Sequence, residues 1–211
     1  MLAEYYNKET ETLTLSINYN SLLEDLPLEI KIIIFEEDYD KKTYSTFNKS
    51  VDNLPLSLTH LTLGYQFNQK VDNLPSSLTH LTFGGNLFNQ SVDNLPSSLT
   101  HLTFGHYFNQ SVDNLPSGLT HLTFGYSFNR SVDNLPSSLT HLTFGYSFNR
   151  SVDNLPSSLT HLTFGHNFNQ KVDKLPSSLT HLTVGYWFKH TINLYQTKIP
   201  FGCKILYIKN Q

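Results

Sequence analysis

The sequence of 211 residues has very little cysteine, little charge and no long apolar run. Its single cysteine, Cys203, excludes an internal disulfide framework and any zinc site made only of cysteines. Charged residues make up 15% and the net charge is -3, so general electrostatic attraction to nucleic acid or to an anionic membrane is not expected. No apolar run approaches the roughly 18 residues of a membrane-spanning helix, and the N-terminus lacks the basic and apolar regions of a signal peptide. We therefore expect an intracellular, cytoplasmic protein without nucleic-acid or membrane partners.

The sequence is instead rich in phenylalanine, with 15 Phe against one Met and one Trp. This imbalance arises from an internal repeat, Phe-Asn-x-x-Val-Asp-x-Leu-Pro-x-x-Leu-Thr-His-Leu-Thr-x-Gly, which recurs every 20 or 21 residues. The histidines of this repeat mark its period: His60, His80, His101, His121, His141, His161 and His181. A fixed period of this length is the signature of a solenoid whose coils stack on one another.

Degenerate copies of the repeat extend the array towards both ends of the chain. Thr12–Leu15 lies one 20-residue step before Ile32–Phe35, and residues 199–208 match the same segment with Cys203 in a leucine column. Insertions occur around residues 36–46 and near residues 194–197. We predict an N-terminal cap with degenerate repeats at residues 1–46, seven tandem repeats at 47–187, and a C-terminal degenerate repeat and cap at 188–211.

The pattern within one repeat predicts the path of a coil. Leu81 and Phe83 are two residues apart, so in a strand both point into the core, while His80 and Thr82 point to the opposite face. The return segment has too few residues and too poor a composition for a helix, because it contains Asp-Asn-Leu-Pro. Its inward residues in this copy are Phe67, Val71 and Leu74, and the asparagine of Phe-Asn is predicted to face inward and bond neighbouring coils. We predict a β-rich, right-handed, leucine-rich-repeat-like solenoid with parallel strands on the concave face, extended or turn-like return segments, and little helix.

Two columns of titratable residues form ladders along such a solenoid. The seven histidines, with a threonine two residues after each, should line the concave sheet, where metal binding or pH sensing competes with a half-exposed surface ladder. We favour the surface ladder, since a row of residues does not converge on one tetrahedral ion, and we expect stability to fall below a pH of about 6. The aspartates could bind calcium, but we favour a turn-capping role. They are Asp52, Asp72, Asp93, Asp113, Asp133, Asp153 and Asp173.

One strip of the repeat varies strongly from copy to copy, while the residues around it are nearly fixed. It consists of the two residues before each Phe-Asn and is rich in Tyr and His, residue types that include frequent contributors to binding hot spots. Its candidate binding residues are Tyr65, Gln66, Asn86, Leu87, His106, Tyr107, Tyr126, Tyr146, His166, Tyr186 and Trp187. The alternative is neutral drift at a permissive turn, and the sequence leaves both interpretations open.

The Phe-Asn and Leu-Pro-x-x-Leu-x-x-Leu-x-Phe-Gly elements resemble the FNIP repeat, a leucine-rich-repeat-like repeat of social amoebae and of giant viruses of amoebae. The same segment is similar to the 20-residue repeats of bacterial effector proteins. The resemblance implies a protein-binding array, which in this family often follows an F-box and captures substrates for a ubiquitin ligase. Residues 26–34 are similar to the start of an F-box but fall in repeat register, so a complete F-box is not expected.

These features together indicate a non-catalytic scaffold for protein–protein interaction, with possible substrate capture implied by the resemblance. The alternative is binding of a flat repetitive ligand, such as a polysaccharide, by the His/Thr ladder. An enzyme is not expected, because catalysis needs a unique convergent set of groups and the repeated columns supply none. We expect no cofactor, no metal site, a protein partner and a monomer.

Overall fold

The computed structural model describes residues 5–38, 40–85, 87–185, 188 and 199–208, and these residues form one 11-stranded sheet. The strands follow one another across the sheet in chain order, and all neighbours are parallel except β1 and β2. They are β1 (Tyr6–Asn7), β2 (Thr12–Leu15), β3 (Ile32–Phe35), β4 (His60–Leu63), β5 (His80–Phe83), β6 (His101–Thr103), β7 (His121–Thr123), β8 (His141–Thr143), β9 (His161–Thr163), β10 (His181–Val184) and β11 (Lys204–Tyr207). Among the described residues no helix has the length and apolarity to cross a bilayer. The predicted β-rich, leucine-rich-repeat-like solenoid is confirmed.

The strands pair without any slip in register from β4 to β10. Histidine lies opposite histidine, leucine opposite leucine and threonine opposite threonine at every step. The insertion before Phe47 does not disturb this order, because Ile32 still pairs with His60 across it. Every repeated column of the sequence therefore becomes a continuous row in the structure.

The core consists of parallel rows of leucine, valine and phenylalanine. Within one coil Phe124 and Phe128 stack with ring centroids 3.7 Å apart, and both rings are almost fully buried. Between coils Phe124 lies 5.6 Å from Phe144, and Phe128 lies 6.1 Å from Phe148. The excess of phenylalanine thus fills two stacked aromatic rows, and the predicted inward residues of the repeat are buried.

Asparagine forms a polar ladder at the first turn of the coil. The Asn109 side-chain oxygen accepts the backbone N–H of Asn129 at 3.0 Å, and Asn129 accepts that of Asn149 at the same distance. The bond between neighbouring coils is as predicted, but these residues are half-buried or exposed rather than part of the core. The turn lies at the surface because phenylalanine, the preceding residue, occupies the interior position.

The last coil departs from the predicted alignment. An alignment on Pro200 places Leu206 opposite Leu182, whereas the structure pairs Leu182 with Ile205. The preceding turn contains Gly202 with a φ of 80°, and β11 begins four residues after Pro200, whereas β10 begins five residues after Pro176. A one-residue slip exchanges the two faces of a strand, so Leu206 is left 54% exposed. The division into a cap, seven repeats and a second cap stays a prediction.

Candidate functional site

Two surfaces of the solenoid carry the residues that the sequence singles out. The turn strip comprises the variable residues after the strands, and the histidine face comprises the seven ladder histidines with the threonines Thr62, Thr82, Thr103, Thr123, Thr143, Thr163 and Thr183. Asn86, Tyr186 and Trp187, which belong to the predicted strip, lie outside the described residues. The described strip residues are Tyr65, Gln66, Leu87, His106, Tyr107, Tyr126, Tyr146 and His166.

The turn strip contains a continuous stack of four aromatic rings. His106 stacks on Tyr126 and Tyr126 on Tyr146, each with ring centroids 4.7 Å apart, and Tyr146 lies 5.3 Å from His166. Tyr107 packs edge-on against His106 and is 51% exposed, while Tyr126 and Tyr146 are 44% and 37% exposed. Within the stack the rings cover one another's faces. They therefore present mainly ring edges and tyrosine hydroxyls to a partner.

A row of glycines explains why these rings lie so close together. A Cβ built on Gly145 would lie 2.0 Å from the carbonyl oxygen of Gly125, and the same is true of Gly165 against Gly145. The backbones of successive coils touch at this point, so only glycine fits on steric grounds. The adjoining tyrosines and histidines are drawn into contact as a consequence.

The insertion adds a cleft that the sequence did not predict. The Asp38–Thr43 bridge closes a short loop of the insertion, and described residues of this loop line a cleft together with Ile34 and Thr62. The cleft has a volume of about 1070 Å³, and Glu36, Asp38 and Lys41 are among its lining residues. Tyr44 in the same segment stacks on Tyr65 at 4.4 Å and lengthens the aromatic strip. Only the length and acidic composition of the insertion could have indicated such a feature.

The histidine face is a stack of seven half-buried imidazoles. Neighbouring ring centroids are 4.1–4.4 Å apart and the ring planes differ by 7–15°. Partial burial, and then repulsion between neighbouring imidazolium charges, lowers the pKa of four of the rings below the ordinary 6.5. These are His80, His101, His121 and His161.

A threonine fixes each ring of this stack. The Thr140 hydroxyl lies 3.1 Å from the carbonyl oxygen of Thr120 and 2.9 Å from Nδ1 of His141. The same pair of contacts recurs at every ladder histidine. The threonine before each histidine therefore ties the imidazole to the backbone of the preceding coil.

The aspartate row is held by hydrogen bonds between coils. Both carboxylate oxygens of Asp113 accept bonds, one from the Ser111 hydroxyl at 2.7 Å and one from the Asn134 amide at 3.1 Å. These bonds lower the pKa of the Asp113 carboxyl below its ordinary value. Arg130 does not neutralise this row but donates to the Asn109 carbonyl oxygen. Asp113 therefore combines a local hydrogen bond at its own turn with a bond to the next coil, and the turn-capping role stays a prediction.

Within the described ranges no group of three or more His, Cys, Asp or Glu side chains is placed to hold one metal ion. The ladders explain this result, because their members are parallel and evenly spaced. In each coil the histidine and threonine of the histidine face lie in the strand, and the residues of the turn strip follow the end of that strand. The two surfaces are therefore neighbours but differ in their chemistry.

Comparison with solved structures places the fold among leucine-rich-repeat proteins. CroV588, a circular leucine-rich-repeat protein, is 40% identical over 93% of this chain with a TM-score of 0.77, and the chain spans only 33% of CroV588. An internalin of Listeria monocytogenes is 18% identical over 86% of this chain and 64% of its own, with a TM-score of 0.53, which shows the fold alone. A search of curated proteins gives no match.

The family model of the FNIP repeat matches five overlapping or adjoining segments of the sequence. They are residues 47–86, 88–127, 111–147, 128–167 and 148–186, which together cover well over half of the chain. The chain belongs to the FNIP repeat family.

Proposed function

We propose that the protein is a non-catalytic scaffold that binds a protein partner through the turn strip. A leucine-rich-repeat-like fold is typical of protein-interaction scaffolds, and this chain has that fold. The observation that carries the proposal is the combination of exposure and variation in one strip. Tyr107, Tyr126 and Tyr146 are exposed, whereas the residues on both sides of the strip repeat almost unchanged.

The other columns of the repeat form the core of the solenoid or connect its coils. The leucine and phenylalanine columns are buried, and the asparagine and aspartate columns bond the next coil. We expect substitutions in those columns to disrupt stacking, so those columns leave little room for variation. A surface that is free to vary and is still filled with aromatic residues has the composition of a binding hot spot.

The chemistry of the strip favours a partner surface of mixed polarity. Tyrosine offers a rigid apolar ring and a hydroxyl that both donates and accepts hydrogen bonds. Leu87, which is 43% exposed, extends this surface by an apolar side chain at the coil with the extra residue. Substrate capture, as the family resemblance implies, would use the same surface.

A matched pair of variants tests this proposal by affinity capture. The strip variant carries Tyr107→Ser, Tyr126→Ser and Tyr146→Ser, and serine already follows two of these tyrosines in the natural chain. The control variant carries Thr103→Ser, Thr123→Ser and Thr143→Ser on the histidine face of the same coils. The strip variant should lose the captured partner and the control should retain it. Equal recovery by the two variants would count against the strip.

A second candidate function is supported by the regularity of the histidine face. Histidine and threonine form two straight rows with identical register over seven strands, which suits a flat ligand with a repeating surface such as a polysaccharide. Residues 128–147 and 148–167 are nearly identical, so deleting 128–147 shortens the face by one coil. Affinity for the ligand should then fall by a constant factor per coil. A glycan array without hits would argue against this candidate.

A further inference from the structure

The hydrogen bonds of the histidine face assign one tautomer to all seven rings. The Thr79 hydroxyl has a single hydrogen, which it donates to the carbonyl oxygen of Thr59 at 3.1 Å. The Thr79 hydroxyl oxygen also lies 2.9 Å from Nδ1 of His80. Because the hydroxyl hydrogen is already used, the hydrogen of this second bond must come from the imidazole. A neutral ring with its hydrogen on Nδ1 has an unprotonated Nε2 with a free lone pair.

The Nε2 atoms are turned away from the threonines that bind Nδ1. Along the described part of the chain no hydrogen bond reaches Nε2 of any ladder histidine. Each ring is half-buried on the face opposite to the buried leucine of its strand. The face thus offers a row of accessible imidazole lone pairs.

The spacing of the rings is compatible with the binding of one metal ion by two adjacent histidines. A bound transition metal lies about 2.0–2.1 Å from each imidazole nitrogen, so two nitrogens at a tetrahedral angle are about 3.4 Å apart. The stacked rings are 4.1–4.4 Å apart, and their ring torsions lie in broad wells. Because the stacked rings are nearly parallel, their in-plane lone pairs point the same way, and each ring must rotate out of the stack by roughly 50° for two neighbouring Nε2 atoms to share one ion.

We propose that the histidine face binds divalent transition-metal ions, each held by the Nε2 atoms of two neighbouring histidines and completed by water. Imidazole is a preferred ligand of Cu²⁺, Ni²⁺ and Zn²⁺, and the Irving–Williams order places Cu²⁺ first. The threonine hydroxyl on Nδ1 keeps the hydrogen on that nitrogen in the free protein and so leaves Nε2 as the metal-binding atom. The partial burial that disfavours protonation keeps the lone pairs available near neutral pH.

The ends of the ladder limit where ions can bind. Seven histidines form at most three separate pairs, so about three ions are expected per chain. The row continues into Ile32 beyond His60 and into Lys204 beyond His181. The Lys204 ammonium repels a dication at that end, and pairs towards the middle should therefore fill first.

Calorimetric titration of the chelator-treated protein with CuCl₂ and NiCl₂ at pH 7.5 measures the stoichiometry. The ladder variant carries His80→Gln, His121→Gln and His161→Gln, which leaves four ladder histidines but no adjacent pair. The control carries His106→Tyr, His166→Tyr and His190→Gln, which removes the other three histidines of the sequence. The control should bind as many ions as the natural protein, about three, with Cu²⁺ tighter than Ni²⁺. The ladder variant should lose these sites.

Electron paramagnetic resonance of Cu²⁺ on the unmodified protein provides a test that needs no variant. Two equivalent nitrogens should split the signal, and a single nitrogen per ion would overturn the proposal. Retention of all sites by the ladder variant, or loss of the sites in the control alone, would overturn it as well. Circular dichroism of both variants shows whether a loss of sites reflects unfolding. If a variant is unfolded, the copper spectrum of the unmodified protein is the deciding test.

Discussion

Acidification should destabilise the protein through the histidine face. An unfolded chain protonates its histidines around the ordinary pKa of 6.5, whereas burial and neighbouring charges lower the pKa of His80, His121 and His161 in the folded protein. The unfolded state therefore binds more protons as the pH falls through this range. By linkage, the contribution of these groups to stability is fully present above about pH 6.5 and is lost progressively below it.

The magnitude follows from the spacing of the rings. Two imidazolium charges 4.1–4.4 Å apart repel by about 1 kcal/mol in a water-like dielectric, and physiological salt reduces this to about 0.6 kcal/mol. Alternate rings can be charged without a charged neighbour, but each of the remaining three then lies between two charges. Full protonation of the row therefore costs on the order of 3 kcal/mol, which is a large part of the stability of a typical domain.

Urea unfolding at pH 8, 7, 6 and 5 measures this loss. The natural protein should lose about 3 kcal/mol of unfolding free energy across the series, while the variant with His80→Gln, His121→Gln and His161→Gln should lose much less. The variant with His106→Tyr, His166→Tyr and His190→Gln removes the same number of histidines outside the ladder and should follow the natural protein. The same pH dependence in the ladder variant and the natural protein would refute the reasoning.

Substitutions at four further positions test the stacking of the coils by urea unfolding at pH 8. Gly145→Ala places a Cβ 2.0 Å from a backbone oxygen of the preceding coil, so it should lower the free energy of unfolding by about 3 kcal/mol. An unchanged urea midpoint would show that the backbones are further apart. Gly118→Ser restores the hydroxyl that neighbouring coils use to bond a leucine carbonyl, and it should raise stability by about 1 kcal/mol. Phe128→Ala empties a fully buried site and should cost about 3–5 kcal/mol, whereas a loss below about 1 kcal/mol would contradict the packed row. Asn129→Ala leaves the backbone N–H of the next coil without its acceptor and should cost about 1–3 kcal/mol, and Asn129→Asp should recover part of this loss.

The sequence predicts most of the architecture because each coil repeats the same pattern of inward and outward residues. The alternation in His-Leu-Thr-Phe places leucine and phenylalanine inward and histidine and threonine outward, and the period of 20 brings each column into register. Even Thr12–Leu15 pairs with Ile32–Phe35 as its spacing predicts. Register is well determined here because a slip would expose every inward residue of a strand.

The structure adds features that depend on local torsions rather than on the period. The turn strip was predicted as a variable row of candidate binding residues, but its internal stacking follows from the close backbone contact at the glycine column. The threonine–histidine contact depends on side-chain torsions, which a column of residue names does not give. The cleft at the insertion and the shifted register of β11 arise in segments that do not repeat, where the pattern has no predictive power.

The fold is typical of protein-interaction scaffolds, and experiment must decide which of the two surfaces binds a partner. The two surfaces differ in a way that experiment can exploit. The turn strip is aromatic and varies between coils, whereas the histidine face is uniform and repeats at every strand. A protein partner with one defined interface should bind the turn strip, whereas a repetitive ligand or a set of metal ions should bind the histidine face.

Photo-crosslinking in the native cell tests the protein-binding proposal most directly. A photoreactive amino acid at position 127 lies within the coil's variable turn, whereas one at position 137 lies at the exposed turn before the next strand. Position 127 should yield a crosslinked protein that the Tyr107→Ser, Tyr126→Ser and Tyr146→Ser variant no longer yields, and position 137 should not. A partner that crosslinks equally from position 137, or that survives loss of the three tyrosines, would contradict binding through the turn strip.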